Sequence, residues 1–88
     1  MSWTFRLSKD ATKQFRRLPR DRQEQLGRAI DEMKDGPLKG DVRPVKSGKF
    51  AGALRRREGR YRIIFSLDPA HRLVAIAAIL LRTEQTYR

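Results

Sequence analysis

The sequence predicts an α+β fold: an N-terminal strand and a helical hairpin, followed by a three- to four-stranded antiparallel sheet. Three observations support this. Alternating apolar residues open the chain, two segments of helical periodicity follow, and the second half holds β-rich runs separated by turn formers. This order is typical of a sheet that helices cover on one face. With 88 residues, the chain is predicted to form a single domain over 1–88.

The first strand and first helix are predicted from a change in apolar period. Trp3, Phe5 and Leu7 alternate with polar residues, which predicts a half-buried strand with Trp3 and Phe5 in the core. Ser8 then has the chemistry of a helix N-cap, and Asp10 would lie in the first turn, where the helix dipole favours an acid. The predicted apolar stripe of this helix consists of Ala11, Phe15 and Leu18.

A second helix is predicted between two prolines. The first helix should end before Pro19, because the residue preceding a proline disfavours the α conformation. Asp21 is the predicted cap of the second helix, and Asp35 to Pro37 supplies its stop. Its predicted buried stripe consists of Leu26, Ala29, Ile30 and Met33.

The remaining sequence is predicted to form the sheet. A short edge strand is expected over residues 43–46, since Pro44 is tolerated only at an edge or a strand start. Two strands should meet at Gly59, which can make the turn between them. The apolar run from Leu73 to Leu81 fits a helix or a strand by period, but its β-branched content favours a strand, expected at the centre of the sheet.

The segment 50–65, which we call the arginine hairpin, is the most informative part of the chain. It contains five arginines on either side of Gly59. Side chains of a strand alternate between faces, so Arg55 and Arg57 should lie on one face and Arg56 on the other. Arg62 should likewise lie on the opposite face of its strand from the apolar residues on either side of it. The hairpin therefore presents a cationic face while keeping apolar groups for the core.

Composition narrows the class of partner. The formal net charge of +11 points to nucleic acid, an acidic protein or an anionic surface. The chain has no cysteine, which excludes disulfides, thiolate metal sites and cysteine nucleophiles. It also has no long apolar run and no signal-peptide core. We expect a soluble cytoplasmic protein with no membrane partner, no metal and no cofactor.

Three motifs together carry a family resemblance. They are A-x-K-x-F-R-R-L-P over residues 11–19, R-x-R-x-G-x-Y-R-I-I-F over 55–65 and L-R-x-x-x-x-Y-R over 81–88. Their order and spacing resemble the RelE/ParE superfamily of toxins from type II toxin–antitoxin systems, and are closer to the RelE mRNA-interferase branch. The resemblance covers essentially the whole chain. It implies a RelE-type fold and a small basic toxin that an acidic antitoxin neutralises in a hetero-oligomer.

In the RelE branch the resemblance further implies metal-independent cleavage of mRNA in the ribosomal A site, so the ribosome and mRNA are implied partners. Arg62 and Arg82 match arginines that RelE nucleases place around the scissile phosphate. Tyr87 matches their C-terminal tyrosine, which stacks on a base. Arg55 falls on one of two positions where the best-studied branch has lysine, whereas the other position is Ala53 in this chain.

Cleavage through the ribose 2′-OH needs a base for its proton, stabilisation of charge on phosphorus and an acid for the leaving oxygen. Arginine suits the second task, because its planar fork contacts two phosphate oxygens, but it is a poor base. The residues left as candidate bases are Lys46, Lys49, Tyr87 and His71. The further predicted RNA contacts are Lys46, Lys49, Arg56, Arg57 and Arg60.

Three functions stay open at the level of sequence. The first is the nuclease, with Arg55, Arg62, Arg82 and Tyr87 as its active residues. The second is a non-enzymatic inhibitor of DNA gyrase, as in ParE toxins, and the third is a catalytically inactive nucleic-acid-binding module. The presence of Arg62, Arg82 and Tyr87 together favours the nuclease, whereas alanine in place of lysine at position 53 favours the other two.

Overall fold

A computed structural model of the chain describes residues 2–81. Its elements are β1 (Thr4–Leu7), α1 (Lys9–Arg16), α2 (Arg20–Met33), β2 (Val42–Pro44), β3 (Leu54–Glu58), β4 (Tyr61–Asp68) and β5 (Leu73–Leu81). The strands form one sheet in the order β1-β5-β4-β3-β2. The predicted α+β class and the order of its elements are confirmed.

The sheet is mixed. Strands β2 to β5 pair antiparallel, as predicted, whereas β1 adds to β5 in parallel. The prediction that Leu73–Leu81 would be the central strand is wrong, because β1 on one side and β3 with β2 on the other leave β4 in the middle. The edge strand β2 covers Val42–Pro44 in place of residues 43–46, and Pro44 at its end fits an edge position.

The two helices begin close to their predicted positions. In α1 the Ser8 hydroxyl accepts a hydrogen bond from the Ala11 N–H at 3.0 Å, which confirms the predicted cap. In α2 the prediction that Asp21 is the cap is wrong by two residues. The Pro19 carbonyl already accepts the first backbone hydrogen bonds, from Arg22 at 2.9 Å and from Gln23 at 2.9 Å. Asp21 lies in the first turn, where its negative charge interacts favourably with the helix dipole.

The hydrophobic core lies between the helices and one face of the sheet, which we call the helix face. The stripe predicted for α2 is confirmed. Of the stripe predicted for α1, Ala11 is buried, whereas Phe15 and Leu18 are partly buried against the core and Leu18 lies after the end of the helix. Buried core residues are Ala11, Leu26, Ala29, Ile30, Met33, Ile63, Phe65, Val74, Ile76 and Ile79. Trp3 and Leu7 pack against this core. Phe5 is a correction, because its side chain is 39% exposed. It belongs to the outermost strand and faces a groove that Leu7, Phe15 and Ile30 also line.

Strand β5 contains a bulge that changes which side chains face the helices. Ile64 pairs with Ala78 while Phe65 pairs with Ile76, so Ala77 is the extra residue. A bulge reverses the alternation of faces beyond it. Leu80, which pairs with Arg62, consequently lies on the face of the sheet away from the helices, which we call the open face.

Two side chains from the start of the chain satisfy the backbone of this bulge. The Ser8 hydroxyl donates to the Ala77 carbonyl at 2.7 Å. The Gln14 side-chain oxygen accepts from the Ile79 N–H at 2.7 Å. Buried backbone groups need such partners, and a bulge leaves some without a partner strand. Helix α1 therefore holds β5 in the register that positions the open face.

Candidate functional site

The register of the arginine hairpin decides which arginines share a face. Gly59 makes the turn with φ of +59°, a conformation that glycine adopts without strain. Arg55 pairs with Ile64, and Arg57 pairs with Arg62. Directly paired residues project to the same face of a sheet. Arg55, Arg57 and Arg62 therefore lie on the open face, as their alternation predicted.

A cavity of about 370 Å³ lies on the open face beside these arginines. Its lining residues are Pro44, Val45, Lys46, Ser47, Lys49, Phe50, Arg55, Arg62, Ile64 and Leu80. Lysine or arginine occupies four of these positions, and no acidic side chain lines it among the described residues. The structure thus brings together Arg55, Arg62, Lys46 and Lys49, four of the predicted site residues, around a space in the size range of ligand sites.

The positive charges of this cavity are close to one another. Arg55 and Arg62 occupy diagonal positions on neighbouring strands, and Arg57 lies directly opposite Arg62. Like charges in such positions destabilise a sheet unless an anion offsets them. Nη1 of Arg55 is buried and makes no hydrogen bond within the part of the chain that the structure describes. A buried donor in that state costs free energy, which an anion bound in the cavity would offset.

The floor and one wall of the cavity are apolar. Ile64 lines the cavity and is only 3% exposed, although it lies on the open face, outside the core under the helices. Phe50 forms the wall, and the Lys49 ammonium lies 5.6 Å from the centroid of its ring. The cavity therefore combines fixed cations with apolar surface.

Arg56 has a different role from its neighbours, and the prediction that it contacts RNA is wrong. It is 6% exposed and projects to the helix face. Its Nη2 contacts Glu32 at 2.5 Å and Glu58 at 3.2 Å, and its Nη1 donates to the Ala29 carbonyl at 3.3 Å. Arg56 is thus an internal ion-paired link between α2 and β3.

The other predicted site residues lie apart from the cavity or outside the described residues. Arg60 is exposed at the hairpin turn, where it lines a separate concavity with Arg22. His71 lies in the turn after β4, at the opposite end of that strand from Arg62, which removes it as a base for this site. Arg82 and Tyr87 lie outside the described residues, so their predicted roles stay predictions.

His71 pairs with a carboxylate of the same turn. Its Nδ1 lies 2.8 Å from Oδ2 of Asp68. This hydrogen bond holds the pKa of Asp68 below its ordinary value, because it stabilises the ionised carboxylate. The pair closes the turn between β4 and β5.

The described residues, 2–81, contain neither a cluster of metal ligands nor a membrane-spanning helix. No group of three or more histidine, aspartate or glutamate side chains is close enough to hold a metal ion there. No helix in that range is long and apolar enough to cross a membrane.

Sequence reasoning missed the apolar part of the cavity. Phe50 stands in a turn-rich segment without a periodic apolar partner, directly after Lys49. An aromatic residue beside a cation in such a segment is the signal that could have identified it. Leu80 gave no signal, because strict alternation ignores the bulge that turns it to the open face.

The sequence matches no family model and no curated protein. Solved structures do match. A chain of the RelBE2 toxin–antitoxin complex from Mycobacterium tuberculosis superposes with a TM-score of 0.80 and 23% identity, covering 93% of this chain and 100% of that one. A chain of the archaeal RelE–RelB complex from Pyrococcus horikoshii superposes with a TM-score of 0.78 and 22% identity, covering 96% of this chain and 99% of that one.

A third match is the YoeB/ParE toxin from Agrobacterium tumefaciens, with a TM-score of 0.73 and 15% identity, covering 91% of this chain and 99% of that one. The fold and the site together define a small α+β protein with a cationic open sheet face. The particular fold is RelE-like, which confirms the resemblance seen in the sequence at the level of three-dimensional structure.

Proposed function

We propose that this chain is the toxin of a type II toxin–antitoxin system and acts as a ribosome-dependent endonuclease on mRNA in the A site, in the cytoplasm. One observation carries the proposal. Arg55 and Arg62 share a cavity with Lys46 and Lys49, and no described acidic side chain lines it. The RNA backbone is the polyanion that such a cavity suits, because arginine forks match phosphate oxygens.

The proposed reaction breaks one phosphodiester bond without a metal or cofactor. The ribose 2′-OH attacks the adjacent phosphorus and loses its proton to a base. The bond from phosphorus to the 5′-oxygen breaks, and that oxygen receives a proton, leaving a 2′,3′-cyclic phosphate. Arg55 and Arg62 contact the non-bridging oxygens and bind them more strongly as charge accumulates in the transition state.

The remaining roles are proposed from the resemblance and from position. Arg82 would join the arginines at the phosphate, and Tyr87 would stack on a base and assist proton transfer. Lys46 or Lys49 would replace the lysine missing at position 53, since both line the cavity. Arg57 and Arg60 would contact RNA outside the cavity.

We also propose an acidic antitoxin as partner in a hetero-oligomer. Several of the matching solved structures are complexes of RelE with RelB. Carboxylates of such a partner would offset the open-face arginines of a chain whose formal net charge is +11. An antitoxin that covers Arg55 and Arg62 would both block the binding of RNA and neutralise the positive charge of the cavity.

Inducible expression in a bacterial host, with growth and primer extension on an abundant message, tests the nuclease. Wild type should arrest growth and produce cuts at codon-phased positions. Arg62→Ala should abolish both while leaving the far-ultraviolet circular dichroism unchanged. Arg28→Ala, an exposed arginine on α2, is the matched control and should behave as wild type. Intact messages in arrested wild-type cells would contradict the nuclease.

A gyrase inhibitor of the ParE type is the second candidate, favoured by Ala53, which leaves the strand without a lysine base. The same experiment separates the two functions. Arrest with intact messages and accumulating DNA breaks would support gyrase as the target. Absence of arrest would support an inactive nucleic-acid-binding module.

A further inference from the structure

The cavity on the open face has an aromatic wall that an anion site does not require. Phe50 is half-buried there, next to the apolar side chains of Ile64 and Leu80. Phosphate binding alone would be served by the guanidinium and ammonium groups. An aromatic ring beside fixed cations is the combination that binds single-stranded nucleic acid, because each nucleotide presents a flat base and a charged phosphate.

We propose that Phe50 is a base-stacking platform, so that the cavity takes an unpaired nucleotide with its base on the Phe50 ring and its phosphate at Arg55 and Arg62. The proposal rests on RNA being the ligand of this site. It assigns specificity to Phe50: unpaired segments bind, and paired segments are excluded because their bases are already stacked.

The loop before β3 holds the ring in place. Val45 N–H donates to the Ala53 carbonyl at 2.8 Å, and Gly52 N–H donates back to the Val45 carbonyl at 3.0 Å. Within the loop, Ala53 N–H donates to the Phe50 carbonyl at 3.0 Å. These bonds close the loop at its base and fix the backbone at Phe50. A fixed ring loses little freedom when a base stacks on it, which favours binding.

The ring is also accessible. The Lys49 ammonium lies over it, 5.6 Å from the centroid, in cation–π geometry. Lys49 is exposed, so its ammonium approaches the Phe50 ring from the solvent side. A face that an ammonium reaches from solvent is open to a base, which offers a much larger stacking area and can replace the ammonium there.

Binding of two probes to the purified full chain tests the proposal. The first is a short fluorescent single-stranded RNA with 2′-O-methyl groups, which cannot be cleaved through the 2′-oxygen. The second is an abasic 2′-O-methyl strand of the same length and charge. Phe50→Leu keeps an apolar side chain but removes the aromatic face, and Phe50→Tyr keeps that face.

Phe50→Leu should weaken binding of the RNA about tenfold, the size of one lost stacking contact, and leave the abasic strand unchanged. Phe50→Tyr should bind both probes as wild type does. Arg62→Ala should weaken both probes equally. Equal binding of the two probes by wild type, no binding of either, or equal losses in Phe50→Leu would each overturn the role of Phe50.

The outcome is independent of catalysis. Wild type that prefers the base-bearing probe but cuts no message would keep the stacking role and remove the nuclease. Codon-phased cleavage with a Phe50→Leu variant that binds both probes normally would keep the nuclease and remove the stacking role. Urea unfolding of Phe50→Leu with an unchanged midpoint shows that the comparison is made on folded protein.

Discussion

Neutralising both carboxylates that pair with Arg56 should destabilise the protein much more than neutralising an acid in a surface ion pair. The perturbation is the double variant Glu32→Gln/Glu58→Gln, which keeps side-chain size and removes both charges. Arg56 would then remain as a buried cation with the Ala29 carbonyl as an acceptor but without a counter-charge. Burying such a cation costs free energy, because it has lost its hydration and no counter-charge compensates for that loss.

The magnitude follows from the burial of the three partners. Arg56 is buried to all but 7% of its side chain, whereas the side chains of Glu32 and Glu58 are 63% and 29% exposed. Breaking a buried pair costs about 3–5 kcal/mol, and the exposure of Glu32 places the double variant at about 3 kcal/mol. Each single variant should lose about 1–2 kcal/mol, because the other carboxylate remains.

Urea unfolding followed by fluorescence of Trp3, the single tryptophan, measures this difference. The midpoint should fall at constant slope, since the surface exposed on unfolding stays the same. Asp31→Asn is the matched control, because Asp31 forms an exposed ion pair with Lys34 and should cost less than about 0.5 kcal/mol. A double variant within about 0.5 kcal/mol of wild type would refute the reasoning, since Arg56 would then need no carboxylate.

Three further variants test the contacts that shape the open face, all by urea unfolding. Gln14→Leu should cost about 1–3 kcal/mol, because the Ile79 N–H loses its acceptor. Arg57→Ser should stabilise by about 0.2–1 kcal/mol at low salt and less at high salt, because it removes a like charge opposite Arg62. Gly59→Ala should cost about 1–2 kcal/mol, since its φ of +59° strains any residue with a Cβ. An unchanged midpoint would contradict each prediction, and a salt-independent gain would contradict the second.

Local information was sufficient for most of the fold. The stripe of α2 was predicted from the spacing of Leu26, Ala29, Ile30 and Met33, because helical burial repeats within a few residues. Ser8 was predicted as a cap, because capping involves a side chain and a backbone group only three residues apart. At the start of α2 two candidate caps lie only two residues apart, Pro19 and Asp21, and the predicted helix start was displaced by that distance.

Features that depend on distant contacts were not predicted. The bulge in β5 is held by Gln14 and Ser8, which are 65 and 69 residues away from their partners in the sequence. The parallel addition of β1 to β5 likewise joins the two ends of the described chain. No local period carries this information, so the face of Leu80 was not predictable.

The candidate site was predicted in part, because alternation assigns faces but does not assign partners. It placed Arg55 and Arg62 together correctly and put Arg56 on the opposite face. The RNA contact assigned to Arg56 came from its charge alone, which cannot distinguish an ion-paired arginine from one that lines a cavity. Knowing that Glu32 lies above β3 requires the packing of α2, which is a tertiary contact.

The two faces of the hairpin divide the positive charge between stability and binding. On the helix face, Glu32 and Glu58 neutralise Arg56 and link α2 to the sheet. On the open face, Arg57 lies directly opposite Arg62, and like charges in that position disfavour the sheet. A polyanion that binds only the native state offsets this repulsion and raises stability through mass action. The charge that weakens the free protein would therefore strengthen binding of a polyanion, such as the proposed RNA or the proposed acidic partner.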